Sequence, residues 1–85
     1  LEDADLDLAA DVCARGRLVN AGQSCVAAKR FIVLESVHDD FVERFRAKLA
    51  AANVGSPFAA ETQIGPMARK DLRTQLHAQV ESSVA

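Results

Sequence analysis

The chain has 85 residues, 49% of them hydrophobic and 26% charged, with ten Lys and Arg against twelve Asp and Glu. A net charge of −2 supplies no basic surface for nucleic acid or an anionic membrane. No apolar run approaches the roughly 20 residues that span a bilayer, and the acidic opening from Leu1 to Asp11 has no signal-peptide pattern.

One small domain at most fits this length, and such a chain buries only about 60% of its unfolded surface. The first residue is not Met, and the sequence stops within a helical pattern. It reads as a piece of a longer protein.

Leu1 to about Arg17 is expected to form a helix. Ala9, Val12, Cys13, Gly16 and Val19 recur at three- and four-residue spacing and give one narrow apolar stripe. Glu2, Asp3, Asp5 and Asp7 crowd its start and Arg15 and Arg17 its end, as the helix dipole favours. Cys13 falls on the stripe beside small residues, a place for a packed structural thiol.

Asn20 to Lys29 follows as a loop, with one helical turn after Gly22 allowed by the pattern. Within it Cys25 comes after Gly22-Gln23-Ser24 and before small residues. Glycine lets the backbone turn sharply, so the thiol is placed for attack rather than packing. Ser24, Ala27 and Ala28 leave access, and Lys29, Arg30 or a helix start near Gly22 would favour a thiolate. The Cys25 N–H is a natural donor to a developing oxyanion. On these residues alone, Cys25 is a candidate thiol nucleophile.

Arg30 to Glu35 is predicted to be a strand. Its four consecutive apolar residues imply cover on both faces, as in a parallel sheet. Its ladder partners must come from elsewhere.

Ser36 then opens a helix with Asp39 three residues on, a capping-box pattern. Phe41, Phe45, Leu49 and Ala52 form the inward stripe, Arg44, Arg46 and Lys48 face outward, and Asn53 and Gly55 end the helix. His38, in its first turn, reads as a solvated side chain.

Ser56 to Pro66 is loop by its Pro and Gly content. From about Ala68 a last helix carries Leu72, Leu76, Val80 and Val84 at four-residue spacing, a packing face. His77 lies off that stripe, and no metal site is predicted. Cys13 and Cys25 form no CxxC and read as reduced thiols of a cytoplasmic protein. The order helix, reactive loop, strand, helix, loop, helix points to the α/β class.

Leu18-Val19-Asn20-Ala21-Gly22-Gln23-Ser24-Cys25-Val26-Ala27-Ala28-Lys29 resembles the cysteine signature of the aldehyde dehydrogenase superfamily, whose nucleophile follows Gly-Gln-x. Leu18 stands where many members have an aromatic residue. Asp3 to Asp7 looks like the acidic helix start before that signature, and Arg30 to Phe45 like the strand and helix after it. Val54-Gly55 and Gly65-Pro66 look like the later loop, so the similarity covers essentially all 85 residues. Ala27 to Phe31 and Gly65 to Arg73 look most like bacterial succinate-semialdehyde dehydrogenases.

The resemblance implies that residues 1–85 are part of a catalytic domain, with the cofactor-binding domain absent. Cys25 would add to an aldehyde, with succinate semialdehyde the expected substrate. NAD or NADP would accept hydride from a thiohemiacetal, and the resulting thioester would be hydrolysed to the acid. The family's general-base glutamate, its oxyanion asparagine and its dinucleotide contacts have no counterpart here, so no cofactor-binding residue is assigned. Asn20 is read as loop-shaping rather than as that asparagine.

Some succinate-semialdehyde dehydrogenases carry a second cysteine where this chain has Ala27, so a disulfide switch of that type is not expected. The family also implies a homo-oligomer. The rival reading is a non-catalytic helical association fragment, inactive on its own. A thiol esterase using Cys25 alone lacks an evident base.

Overall fold

A pair of helices with small residues on one side and phenylalanines on the other carries what core the chain has. The structure, a computed structural model, describes residues 1–85. Helix α1 spans Leu6–Leu18, α2 His38–Ala50 and α3 Lys70–Val84, with short 3-10 turns at Val19–Gly22 and Glu35–Val37.

α1 starts five residues later than its charge pattern suggested, because Asp5 is its cap. The Asp5 backbone is extended, and its Oδ1 accepts the Leu8 N–H at 3.0 Å, satisfying a donor that the first helical turn leaves free. Asp11 and Arg15 pair one turn apart on the exposed side.

The buried residues of α1 are Ala10 and Ala14. The expected stripe is therefore displaced, with Val12 and Val19 exposed and Ala9, Cys13 and Gly16 half-buried. The reason lies in α2, which packs on α1 and brings large rings. Phe41 is 6% exposed and stacks on Phe45 at 5.6 Å between centroids; Phe31 tilts against Phe45 at 4.9 Å. Alanines opposite let the helix axes approach.

The inward stripe of α2 is as expected, with Phe41 buried and Phe45, Leu49 and Ala52 half-buried. Asp7 of α1 faces Lys48 at 3.6 Å and Arg44 at 3.8 Å, a solvated bridge between the helices that adds little stability.

The predicted strand is absent, and with it the α/β arrangement; the chain is helical, with extended connections. Phe31 to Leu34 takes no place in a ladder. Phe31 and Val33 turn toward the helices while Ile32 stands 93% exposed and Leu34 lies open. That is the two-residue alternation of an extended chain lying on a helix layer. A run of four apolar residues supplies strand propensity, but the hydrogen bonds that make a strand need a second one alongside.

Ser36 does not cap α2. It sits in the 3-10 turn and its hydroxyl donates to Glu2 Oε1 at 3.2 Å, while Val37 stands at the helix start with no side-chain cap.

α2 ends at Ala50, before Asn53 and Gly55, and those residues do other work. The Asn53 carbonyl accepts from the Gln63 and Ile64 N–H groups, each at 2.9 Å. Gly55 N–H donates to the Ile64 carbonyl at 3.0 Å, closing an isolated parallel bridge between Val54 and Ile64. The loop read from composition is thus pinned at both ends. α3 forms where expected, but every one of its side chains is exposed, the Leu72, Leu76, Val80 and Val84 stripe included.

Candidate active site

The end of α1 builds the loop that carries Cys25. Asn20 (φ 51°), Ala21 (φ 55°) and Gly22 (φ 75°) are successive left-handed residues, a conformation that costs an L side chain roughly 1–2 kcal/mol. They reverse the chain, and Gln23 N–H closes the reversal on the Asn20 carbonyl at 3.0 Å. Asn20 is the loop-shaping residue its position suggested.

A second turn follows at once. Ala27 N–H donates to the Ser24 carbonyl at 3.1 Å, and Val26 N–H lies 3.3 Å from Ser24 Oγ. Cys25 and Val26 form the exposed tip of this turn. Ala27 is only 3% exposed and anchors it.

The chain then ties back to α1. Ala28 N–H donates to the Gly16 carbonyl at 2.9 Å. Arg17 spans both ends of the loop, with Nη2 donating to the Gly22 carbonyl at 2.8 Å and Nη1 to the Ala28 carbonyl at 2.6 Å. These are charge-assisted bonds in a part-buried place, stronger than neutral ones. Sequence reasoning placed Arg17 as a counter-charge to the helix dipole and missed this brace.

Lys29, itself exposed, reaches back to the turn, its Nζ donating to the Cys25 carbonyl at 3.1 Å and the Ala27 carbonyl at 2.8 Å. Arg30 is exposed. Of the two cations expected beside the thiol, Lys29 braces the turn through its carbonyls.

Among the amides of this turn, those of Gln23, Val26, Ala27 and Ala28 are donated within the chain, whereas the Ser24 and Cys25 N–H groups have no acceptor there. A solvent-facing thiol and an unused N–H therefore belong to one residue. A thiol at the tip can reach an electrophilic carbon, and a free amide can receive the negative oxygen that results.

Gln23 extends the site toward α3, its Oε1 accepting the Ala68 N–H at 2.9 Å. An open cleft of about 800 Å³ lies between the left-handed loop and α3, with Arg17, Asn20, Gln23, Met67, Leu72 and Leu76 among its walls.

The remaining titratable candidates lie elsewhere. Cys13 is half-buried and lines a wholly apolar hollow with Phe31, Val33 and Phe41, the packing position read for it. Both cysteines are free thiols. His38 is exposed, its Nδ1 2.9 Å from Asp39 Oδ1. His77 is exposed beside Glu81 at 3.3 Å, a carboxylate one turn away that the sequence reading overlooked; no group of three metal-ligating side chains assembles around it.

Neither of the perturbed groups is hydrogen-bonded to Cys25. Arg44 is raised above its ordinary value by its hydrogen bond to Asp40. The Asp71 carboxyl is held below the usual range by its hydrogen bond from Arg69.

An accessible cysteine on a braced turn, with its own amide free, has the form of a thiol-nucleophile site. The aldehyde dehydrogenase family model matches residues 1–85, and the chain belongs to that family.

It is 52% identical over all 85 residues to the succinate semialdehyde dehydrogenase (NAD(P)+) Sad of Escherichia coli (strain K12), covering 18% of that protein. It is 46% identical, again over its whole length, to succinate-semialdehyde dehydrogenase (NADP(+)) 1 of Mycobacterium tuberculosis (strain ATCC 25618 / H37Rv), covering 19%. A probable succinate-semialdehyde dehydrogenase (NADP(+)) of Synechocystis sp. (strain ATCC 27184 / PCC 6803 / Kazusa) is 48% identical over the same residues, with 19% covered. The chain spans less than a fifth of the length of these relatives.

Proposed function

We propose that residues 1–85 are the nucleophile-bearing part of the catalytic domain of an NAD(P)-dependent succinate-semialdehyde dehydrogenase, with Cys25 as its nucleophile. The observation that carries this reading is the exposed Cys25 with its unused N–H, on the turn of a chain that belongs to the aldehyde dehydrogenase family. The substrate rests on the relatives' names, all of which specify succinate semialdehyde.

The Cys25 thiolate attacks the aldehyde carbon. A C–S bond forms, the carbonyl electron pair moves onto oxygen, and the Cys25 N–H donates to that oxyanion. In the whole enzyme NAD(P)+, held by residues outside this chain, would be the hydride acceptor, a chemistry that residues 1–85 do not themselves supply.

Residues 1–85 do not fit a dinucleotide site. A nucleotide crevice forms at the carboxyl ends of parallel strands, and this chain has one isolated bridge and no strand. The dinucleotide would therefore be held by residues outside this chain, and the 85 residues alone would have no dehydrogenase activity. Two free thiols suit a reducing cytoplasm, and the open apolar faces suit a protein that assembles into oligomers.

The test is reduction of NAD+ and NADP+ by the full-length protein carrying these residues, with succinate semialdehyde and with aldehydes lacking the carboxylate. Cys25→Ser abolishes turnover while Cys13→Ser keeps it, and a mass increment from the acyl group appears on Cys25 in rapidly quenched samples. Turnover by Cys25→Ser would overturn the assignment.

A further inference from the structure

We infer that Arg17 is the positioning residue of the nucleophile: its guanidinium braces the two ends of the turn bearing Cys25 and so fixes where the sulfur and the adjacent N–H stand. This inference rests on the reading of Cys25 as the nucleophile.

Arg17 stands in the last turn of α1, as Arg15 does, yet the two differ. Arg15 points to solvent and pairs with Asp11 of its own helix. Arg17 is half-buried and reaches five and eleven residues along the chain, to the carbonyls of Gly22 and Ala28. Those carbonyls are the entrance and exit of the segment that carries Cys25.

Ala28 is held from both sides, its N–H by the Gly16 carbonyl and its own carbonyl by Arg17. Residues 22–28 therefore form a closed arch standing on the end of α1, with the thiol near its crown. The planar guanidinium presents several N–H groups in one fixed fork and serves two acceptors at once.

Gly22 completes the device. A Cβ there would lie 2.9 Å from Arg17 Nη2, so any other residue would push the guanidinium off its present position. The glycine of the Gly-Gln-x-Cys run thus has a second duty beside its left-handed φ of 75°.

A brace of this kind acts on rate rather than on affinity. Displacing a reacting group by about 1 Å costs on the order of 100-fold, whereas substrate held by other residues binds as before.

The test uses the full-length enzyme and three variants, Arg17→Met, Arg17→Lys and Cys25→Ser. Arg17→Met is expected to lower kcat by about 10- to 100-fold with the KM values for aldehyde and dinucleotide within about twofold of the parent. Alkylation of Cys25 by iodoacetamide slows relative to Cys13, which reports from the same molecules as an internal standard. Arg17→Lys, keeping the charge but not the fork, recovers part of the loss in both readouts.

The inference is overturned by unchanged kcat and an unchanged labelling ratio in Arg17→Met. If Arg17→Met does not fold, full activity in Arg17→Lys overturns it equally. Activity in Cys25→Ser would sink the nucleophile assignment itself. An inert Cys25→Ser beside an undiminished Arg17→Met would remove the brace alone.

Discussion

Gly16 and Gly22 lie six residues apart and answer opposite demands. Gly16 is inside α1, and an added Cβ would meet Ala28 Cβ at 3.8 Å, ordinary contact. Glycine there costs helix stability relative to alanine, so Gly16→Ala should stabilise by about 0.5–1 kcal/mol. Gly22 has a positive φ, and its Cβ would press on the Arg17 guanidinium. Gly22→Ala should therefore lose at least about 1–2 kcal/mol from backbone strain alone. Thermal midpoints measured side by side should move in opposite directions; a shift of the same sign in both would contradict the loop geometry. Ala21, beside Gly22, already holds a left-handed conformation with an L side chain. Strain of that sort concentrates where the surrounding structure fixes a functional loop.

At the scale of elements, legibility followed the size and spacing of side chains. Phe41, Phe45 and Leu49 repeat every four residues, and α2 lies where that repeat puts it. The facing surface of α1 was not legible, because Ala10 and Ala14 look the same in a hydropathy pattern as the less buried Ala9. Only the rings opposite select them. Phe41→Ala should accordingly cost about 3–5 kcal/mol, as ring removal from a packed site does, while its exposed neighbour Val42→Ala stays within about 0.5 kcal/mol. Denaturant midpoints distinguish the two, and equal effects would mean that α1 and α2 are not packed through this face.

The Phe31 to Leu34 run failed as a strand for the converse reason: a ladder is a property of two segments, and a sequence displays one at a time. Arg17 was illegible because side-chain bonds to main-chain carbonyls leave no pattern of residue types. The turn around Cys25, by contrast, was readable from its neighbours, since Gly22 and the small residues around it set the turn directly.

α3 carries a pH dependence of predictable sign. The Arg69 hydrogen bond holds the Asp71 carboxyl below its ordinary range, and Asp71 lies in the first turn, where a negative charge also suits the dipole. Its contribution is present at neutral pH and is lost as pH falls through that lowered value. The first turn of α3 should then loosen below the usual carboxylate range, seen as a shift of the residue 70–73 Cα resonances toward coil values. In Asp71→Asn that acid-dependent change should vanish. Its persistence in Asp71→Asn would assign the transition to another group.

Over the whole molecule, surface area decides behaviour. The chain exposes 6776 Å², whereas a compact monomer of its mass exposes about 4,900 Å². The excess of about 1,900 Å² is roughly twice the ~800 Å² that one partner contributes to a standard protein interface. Part of it is apolar. Phe58 is 98% exposed, Ile32 projects from the unpaired extended segment, and the stripe of α3 touches no other helix. Four residues are buried in the chain, too small a core to offset the ordering of 85 residues by itself. The same surfaces are what a longer catalytic domain would cover, so the two settings predict different things of one residue. In the isolated 85-residue chain, sedimentation should reveal association that grows with concentration, and Leu76→Glu should reduce it by placing a charge in the α3 stripe. In the full-length enzyme, Leu76→Glu should instead lower the thermal midpoint, because there the stripe is packed and the charge is buried without a partner. A monomeric isolated chain with a sharp cooperative melt would show that these faces need no cover, and the open stripe of α3 would then be its finished surface.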